Sequence, residues 1–443
     1  MASAFENRLR RTIEMAGTDS QTGPVPVMAT LSDGEVRLST PLPSKKLRPI
    51  ARRTNKWVRG ASPDNLSDGV STGITTQLFH TADIACSGIR FAFTNTYNVT
   101  GVETDGTNDI SIKANIRMPG GLNFPVYFNG RRTAVCEPGA ALLSDPVGIS
   151  FKKGDTFYSR TYVSVTSGQK YPLGAKTNSA NEGVGNGDLA DGSVPTNATR
   201  GYGPIAVLGT PATETVSPIV LVQGDSITAG YGDYIGTTDD YGFVSRAFDG
   251  VLSYLNLGLS SSSISGAITG TGSSRRSRIA DLIVPDAALL LYGTNDAAGG
   301  DTVNTLRNNL IAWWLLHRRR GLKCYAGTLP PKTTSTDAWS TTENQTPDAG
   351  LATRQGINAW VRDGAPLNAD TLAAVAVGGA GIRIGDAGHP ISACFDFADA
   401  TESARNSGVW APGYTSDGTH PNQTGAAAMA AVIDPRIIGA IIK

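Results

Sequence analysis

The stretch Pro218-Ile-Val-Leu-Val-Gln-Gly-Asp-Ser-Ile227 joins an apolar run to the polar tripeptide Gly-Asp-Ser. An uninterrupted apolar run that is rich in β-branched residues is typical of a strand buried on both faces of a parallel sheet. Ser226 follows where this strand would end, and we expect a helix to begin there. In open α/β sheets the functional residues lie just past the carboxyl ends of the strands. Ser226 is therefore the first candidate for a functional side chain.

The same pattern recurs in the rest of the chain. Further apolar runs predict buried strands at 253–257, 287–292, 322–326 and 393–397, and apolar periodicity predicts helices at 304–319, 352–362 and 423–433. Continuous apolar strands that alternate with helices predict a parallel sheet covered by helices on both faces. We therefore predict that residues 215–443 form an α/β three-layer sandwich.

The sequence before residue 215 has a different character. Residues 61–175 contain short alternating or β-branched runs, separated by Gly, Asn, Asp and Pro, at 88–94, 109–115, 124–128 and 156–165. Strands of this length and spacing predict an antiparallel β-sandwich domain of jelly-roll-like type. Residues 1–60 predict an N-terminal extension or arm with a short helix at 3–16. Residues 176–214 are rich in small and polar residues without a period, which predicts a linker or a long loop.

Composition and charge narrow the functional classes. The chain has 443 residues, of which 38 are Lys or Arg and 38 are Asp or Glu. This length favours two or three domains, and a net charge of zero gives no global attraction to nucleic acid or an anionic membrane. We interpret a local basic run at 45–59 as a solvated linker or arm, with nucleic-acid binding as the weaker alternative. The 4 cysteines have no metal-ligand spacing and are interpreted as buried free thiols.

Targeting signals are not evident in the sequence. The N-terminal stretch MASAFENRLRRTIEMAG lacks an apolar core of signal-peptide length. No apolar stretch reaches the roughly 18 residues that predict a transmembrane helix. We therefore expect a protein that is cytoplasmic or that is associated with a phage or virion particle.

Residues near the predicted strand ends supply the parts of a nucleophilic site. A serine hydroxyl becomes a good nucleophile when a nearby base, normally a histidine oriented by a carboxylate, takes its proton. Asp417-Gly-Thr-His420 contains such a carboxylate and imidazole. Gly258 and Asn295 follow the next two predicted strands. We expect the N–H of Gly258 and the amide of Asn295 to meet an oxyanion beside Ser226.

Four blocks of the sequence together resemble a known family, the SGNH (GDSL-type) hydrolase superfamily, over about residues 215–443. They are Gly224-Asp-Ser-Ile227, Asn256-Leu-Gly258, Gly293-Thr-Asn-Asp296 and Asp417-Gly-Thr-His-Pro421, in this order. The resemblance implies a flavodoxin-like fold and a serine esterase. No cluster of His, Cys, Asp or Glu has metal-ligand spacing, so we expect no metal and no cofactor. The resemblance also implies that Ser226 is the nucleophile, His420 the base and Asp417 the residue that orients it. It further implies an oxyanion hole formed by Ser226, Gly258 and Asn295.

Other residues compete with these assignments. Asp386-Ala-Gly-His389-Pro390 repeats the D-x-x-H-P pattern, but His389 precedes a predicted strand, so we expect it at the opposite end of the sheet and favour His420. Gly69-Val-Ser71-Thr-Gly73 matches a nucleophile-elbow pattern without the flanking strand and helix, and we interpret it as a turn. We interpret Asp296 as a structural hydrogen-bonding partner, and His317 as a surface or helix-end residue.

The sequence indicates the substrate less clearly than the reaction. Tyr231 and Tyr234 follow the nucleophile among polar residues and suit contact with a sugar, although an ordinary loop fits the same residues. We predict a carboxylic ester hydrolase that acts on short-chain, in the first place acetyl, esters of a small molecule or polysaccharide. A homo-oligomer is compatible with the sequence. The alternative is a glycan-binding surface or virion structural protein whose SGNH-like domain has little activity.

Overall fold

The computed structural model describes residues 27–30, 36–39, 46–51, 65–174, 177, 182–192, 199–213, 218–233, 241–268 and 272–440. The helix predicted at 3–16 and most of the basic run at 45–59 lie outside these residues. The chain divides into two compact units, Met1–Lys46 and Leu47–Lys443. In the first unit, strands β1 (Val27–Thr30) and β2 (Val36–Ser39) pair in antiparallel fashion.

Two antiparallel sheets form the β-rich part of the second unit. The first sheet has the spatial order β10 (Ala134–Cys136), β8 (Ile110–Arg117), β13 (Thr156–Ser164), β4 (Gly73–Thr81) and β14 (Gly183–Asn186), with β9 (Asn123–Pro125) paired to β8. The second has the order β11 (Ala141–Leu143), β5 (Cys86–Thr94), β15 (Ala206–Pro211) and β3 (Arg48–Ala51), with β12 (Val147–Phe151) paired to β5. A hairpin of β6 (Thr96–Val99) and β7 (Val102–Asp105) follows β5 directly.

A single hydrophobic cluster contains residues from both antiparallel sheets. Phe91 and Phe93 of β5 share it with Ile112 of β8 and Val163 of β13. An apolar layer between two sheets is the defining feature of a β-sandwich, because each sheet buries one face against the other. The antiparallel architecture predicted for this region is therefore confirmed.

The structure differs from the predicted linker and arm. Residues 183–186 and 206–211, both inside the predicted linker, form β14 and β15, and Arg48–Ala51 of the predicted arm forms β3. These short strands lack a clear alternation of polar and apolar residues. They are held by hydrogen bonds to strands far away in the sequence, and such non-local pairing leaves no local sequence pattern.

The rest of the second unit is built on a parallel sheet. Its spatial order is β17 (Ser253–Asn256), β16 (Ile219–Gly224), β18 (Ala287–Leu291), β19 (Lys323–Gly327) and β22 (Ile391–Phe395), and all neighbours are parallel. A small hairpin, β20 (Thr333–Ser335) and β21 (Gln345–Pro347), lies outside this sheet. The first strand along the chain lies between the second and the third, which is the flavodoxin-like order.

Helices complete the layers around the parallel sheet. They are α1 (Ser226–Ala229), α2 (Gly242–Phe248), α3 (Ile264–Ile268), α4 (Gly272–Ile283), α5 (Thr294–Ala298), α6 (Val303–Arg319), α7 (Leu351–Arg362), α8 (Phe397–Thr401), α9 (Gln423–Ala431) and α10 (Pro435–Ala440). In one group α2 and α8 pack against α9, and in another α3 and α7 pack against α6. This is the predicted α/β three-layer arrangement of the SGNH fold.

The strand order fixes where a site can form. The connection after β16 leads to β17 on one side of it, and the next connection leads from β17 to β18 on its other side. The connections therefore diverge between β16 and β18. Such a switch point opens a crevice at the carboxyl ends of the strands. Ser226 comes directly after Asp225 at the end of β16, and Asn295 lies in α5 just after β18. The topology therefore brings these two residues to the same edge of the sheet.

The prediction for His317 is right about its place in the last turn of helix α6 and wrong about an exposed surface position. His317 is buried, with 1% of its surface exposed, rather than at the surface. It follows Trp313 by one helical turn and therefore shares that residue's buried face, where the two rings meet edge to face at 4.6 Å. Among the described residues, neither ring nitrogen has a hydrogen-bond partner. Burial lowers the pKa of His317 to about 3, so the imidazole is neutral at physiological pH.

Some features bear on the chemistry available to the described part of the chain. None of its helices is long and apolar enough to cross a membrane. None of its groups of His, Cys, Asp and Glu side chains is arranged to hold a metal ion. All four cysteines are free thiols, and burial raises the pKa of Cys86, Cys136 and Cys324 to about 12, which keeps them protonated.

Candidate active site

Ser226 is presented by the turn between β16 and α1. It is 8% exposed, and the neighbouring Asp225 caps the helix by accepting a 2.9 Å hydrogen bond from the N–H of Ile227. Helix α1 has only 4 residues, so it lacks the length that sums to a strong macrodipole. An anion at this end of the helix would therefore be bound by free N–H groups and not by the dipole.

His420 joins Ser226 to a carboxylate. Its Nε2 lies 2.7 Å from Ser226 Oγ, and its Nδ1 lies 2.7 Å from Asp417 Oδ2. Asp417 Oδ1 also accepts the backbone N–H of His420 at 2.8 Å. An ionised carboxylate can only accept, so Nδ1 carries the proton and Nε2 is free to accept from the serine hydroxyl.

The protonation state of Asp417 supports this tautomer. Burial by itself would raise the pKa of its carboxyl. The hydrogen bond from the His420 ring, the charge of that ring when it is protonated, and the backbone N–H donors together outweigh burial. The net effect brings the pKa of Asp417 to about 2. Asp417 is therefore ionised at neutral pH and orients the imidazole.

The loop that carries Asp417 and His420 is fixed by its own hydrogen bonds. Thr415 Oγ1 accepts the N–H of Gly418 at 2.9 Å and donates to the carbonyl of His420 at 2.7 Å. The indole of Trp410 donates to the carbonyl of Gly418 at 3.0 Å. These bonds fix the backbone at Gly418 and His420 and thereby the position of the imidazole, as a preorganised site requires.

Asn295 lies beside Ser226 at the switch point. Its Nδ2 donates one hydrogen bond to the carbonyl of Ser262 at 2.9 Å. A side-chain amide has two N–H groups, so this bond orients the amide and leaves a second donor. Asn295 and Ser226 line the same cavity.

The structure does not bring Gly258 to this cavity. Its N–H donates to Asn256 Oδ1 at 2.9 Å, and a Cβ at this position would lie 2.4 Å from the backbone nitrogen of Ala229. Gly258 is thus required for close packing of the loop under α1, and its donor is already engaged. The expectation that this N–H faces Ser226 fails for that reason.

Ser260 and Ser261 line the cavity where Gly258 was expected. Ser261 has a φ of 65°, in the left-handed region that a serine seldom adopts. Within the described part of the chain, the N–H groups of Ser226 and Ser261 have no acceptor. Ser261 was not predicted from the sequence. The signal that could have identified it is the run of serines at 260–263, shortly after β17.

The cavity has a volume of about 300 Å³. Its lining is polar apart from one aromatic ring and consists of Ser226, Tyr231, Ser260, Ser261, Asn295, Lys332, Asp417, Thr419 and His420. The ring of Tyr231 packs against the imidazole of His420 with centroids 4.5 Å apart. Tyr234 lies outside the described residues, so its predicted substrate contact stays a prediction.

The competing residues have other partners. His389 precedes β22 at the opposite end of the sheet, is buried, and donates from Nε2 to the carbonyl of Ala365 at 3.0 Å. Asp386 does not bond its ring, and its Oδ2 accepts the N–H of Arg383 at 2.8 Å. Asp296 accepts the N–H of Ile264 at 2.9 Å and thereby fixes the start of α3.

The carboxyl of Asp225, the residue directly before Ser226, is only 2% exposed. Burial raises its pKa to about 6, against the opposing effect of its hydrogen bond from Ile227. In the unfolded chain an aspartate titrates near about 3.9. Since the folded-state pKa is the higher one, the stabilisation by the bound proton is complete below about pH 4 and is lost as the pH rises through about 6.

Asp225→Asn removes this titration while keeping an oxygen that can cap α1. We expect the free energy of unfolding of the wild type, measured relative to this variant in urea, to decrease between about pH 4 and pH 6, because the wild type loses its bound proton there. A difference that stays constant over this range would contradict the raised pKa.

Comparison with known proteins gives the family of the C-terminal part. The model of the GDSL-like lipase/acylhydrolase family matches residues 222–428. No curated protein sequence matches the chain.

Several solved structures are similar to about half of the chain. A GDSL-like lipase from Bacteroides thetaiotaomicron is 18% identical over 50% of this chain and 89% of its own, with a TM-score of 0.35. A G-D-S-L family lipolytic protein from Veillonella parvula is 21% identical over 48% and 94%, with a TM-score of 0.33. A catalytic mutant of an acetylxylan esterase from Geobacillus stearothermophilus is 15% identical over 50% and 94%, with a TM-score of 0.31. With the family model on residues 222–428, the chain contains a domain of the GDSL-like lipase/acylhydrolase family.

Proposed function

We propose that this protein is a serine esterase that removes short acyl groups, acetyl in the first place, from a carbohydrate. The observation that carries the proposal is the continuous hydrogen-bond chain at the end of β16. Ser226 Oγ lies 2.7 Å from His420 Nε2, and His420 Nδ1 lies 2.7 Å from Asp417 Oδ2. A nucleophile, a base and an orienting carboxylate at these distances are the parts that acyl transfer needs.

The proposed reaction proceeds in two halves. His420 takes the proton of Ser226 as the hydroxyl oxygen attacks the ester carbonyl, and it then gives this proton to the departing alcohol. The acyl group remains on Ser226 as an ester. A water molecule repeats the attack with His420 again as base, which releases the carboxylic acid and restores the serine. Asp417 stabilises the imidazolium that forms in both halves.

The negative charge of each tetrahedral intermediate needs fixed donors. We assign this role to the N–H of Ser226, the second N–H of the Asn295 amide and the N–H of Ser261. Ser261 replaces Gly258 because the Gly258 N–H already donates to Asn256, whereas Ser261 lines the cavity. Donors that are already oriented stabilise the transition state without reorganisation, and one such donor is worth about 100-fold or more in turnover.

The cavity supports a small and polar substrate. Its roughly 300 Å³ are lined by hydroxyl, amide and charged groups, and no aliphatic side chain is among the described lining residues. A long acyl chain gains its affinity from apolar walls, which this lining does not offer. Hydroxyl-rich sugars are matched by the hydroxyls of Ser260 and Thr419, which can donate or accept hydrogen bonds, and by Lys332, which can donate them. The hydrogen-bonded Ser226 and His420 favour turnover over the alternative of glycan binding alone.

Replacing the nucleophile tests the reaction directly. We expect Ser226→Ala to abolish hydrolysis of p-nitrophenyl acetate and of acetylated oligosaccharides while leaving the melting temperature unchanged, because only the reacting oxygen is removed. Initial rates and thermal unfolding are the measurements, and Ser71→Ala in the G-x-S-x-G match at 69–73 is the control. Full activity of Ser226→Ala would contradict the esterase. Rates that depend on acyl length but not on the sugar would contradict the carbohydrate substrate.

Matched substitutions of the two histidines test the base. We expect His420→Gln to lower kcat on the order of 1,000-fold or more, because glutamine cannot take the serine proton. His389→Gln keeps a hydrogen-bond donor near Ala365 and is expected to affect stability more than kcat. Kinetics normalised to folded protein distinguish the two positions. An active His420→Gln beside an inactive His389→Gln would reverse the assignment.

A further inference from the structure

We propose that the β6–β7 hairpin of the β-rich part holds the loop that presents Ser261 to the cavity, and that Asn98 is a positioning residue for the esterase reaction. The loop comprises residues 257–263, between β17 and α3. This inference rests on the proposed function, since it assigns the hairpin a role in stabilising the oxyanion. It makes the β-rich part a component of the active site.

Asn98 connects the hairpin to the loop. Its side chain is buried, and its Nδ2 donates to the carbonyl of Ser260 at 3.0 Å. Its Oδ1 accepts the N–H of Gly101 at 2.8 Å, and its own carbonyl accepts from Asn65 Nδ2 at 3.0 Å. Because partners on three sides fix this asparagine, it locates the peptide group directly before Ser261.

Gly101 brings the hairpin turn against the next peptide group, which joins Ser261 to Ser262. It has a φ of 90°, and a Cβ on it would lie 2.1 Å from the carbonyl oxygen of Ser261 and 2.8 Å from the nitrogen of Ser262. Only glycine permits such an approach of two backbones. The unfavourable φ of Ser261 thus occurs where the hairpin contacts the loop. Because unfavourable backbone angles persist only where the surroundings enforce them, this contact helps to hold Ser261 in its conformation.

A buried ion pair links the hairpin to both ends of the loop. Glu103 of β7 pairs with Arg276 of α4, and each is 1% exposed. Arg276 Nη1 donates to the hydroxyl of Tyr292 at 2.5 Å and approaches the carbonyl of Leu257 at 3.4 Å. The Tyr292 hydroxyl in turn lies 3.4 Å from Ser262 Oγ.

These contacts have a specific kinetic consequence. A buried ion pair adds little net stability compared with apolar packing, but it fixes geometry because breaking it is costly. Asn98, Gly101 and Glu103 all belong to the hairpin, and none of the three is among the described residues that line the cavity. Their loss displaces the Ser261 N–H from the developing oxyanion and leaves the ground-state complex largely intact.

The test compares two buried asparagines of the β-rich part. Asn98→Ala removes the donor to Ser260, whereas the control Asn115→Ala removes a donor to the carbonyl of Ala190, 2.8 Å away and outside the loop. For each variant, kcat and KM for p-nitrophenyl acetate and the inhibition constant of a boronic acid are measured. The tetrahedral boronate on Ser226 resembles the transition state.

We expect Asn98→Ala to lower kcat on the order of 10- to 100-fold with little change in KM. We expect boronate affinity to fall by a matching factor, because both report on the oxyanion donors. Asn115→Ala should lower thermal stability while leaving both constants near those of the wild type. A second variant serves if Asn98→Ala folds poorly. Asn98→Asp keeps the acceptor for the N–H of Gly101 and lacks the donor to Ser260, so it should show the same losses of kcat and boronate affinity.

Unchanged kcat and boronate affinity in both Asn98 variants, with Ser226→Ala inactive, would overturn this inference and leave the esterase intact. Equal losses in Asn98→Ala and Asn115→Ala would overturn it as well, since the effect would then be global. A wild-type protein without turnover would overturn the proposed function and the positioning role together.

Discussion

The hydrogen bond between Ser226 and His420 spans 194 positions of the sequence, and the folded domain is organised around making it. Strand β16 places Ser226 at the carboxyl edge of the parallel sheet, where strand order opens a crevice. The final loop, fixed by Thr415 and Trp410, returns the imidazole to that edge. In the proposed reaction this pairing supplies Ser226 with its base, and without it Ser226 would be an ordinary serine at the start of a helix.

Much of the C-terminal fold and of the candidate site could be predicted, because short stretches of the sequence encode them. The apolar run at 219–224 and its successors encode buried strands, and turn residues at strand ends mark the edge where functional groups gather. Ser226 and Asn295 were identified on that basis. Asp417 and His420 were identified from their spacing and from the resemblance to the family, and the structure brings all four together. The choice of His420 over His389 followed from context, since His389 precedes a strand and His420 lies in a block that resembles the final block of the family.

The features that escaped prediction depend on contacts between distant segments. Gly258 and Ser261 are both small residues after β17, and only the side chain of Asn256 decides which N–H is engaged. Strands β14 and β15 exist because distant strands pair with them. His317 differs in kind, since its spacing from Trp313 already placed it on the buried face. The three arginines that follow it, at 318–320, are typical of an exposed helix end and indicated the opposite.

The most direct test of the central claim is covalent labelling. A fluorophosphonate reacts with a serine oxygen only where a base and oxyanion donors activate it, so it reports the assembled site without any assumption about the substrate. We expect intact-mass spectrometry to show a single adduct per chain, peptide mapping to place it on Ser226, and His420→Gln to abolish it. No adduct on the folded wild type, or an adduct on a different serine, would contradict the assignment.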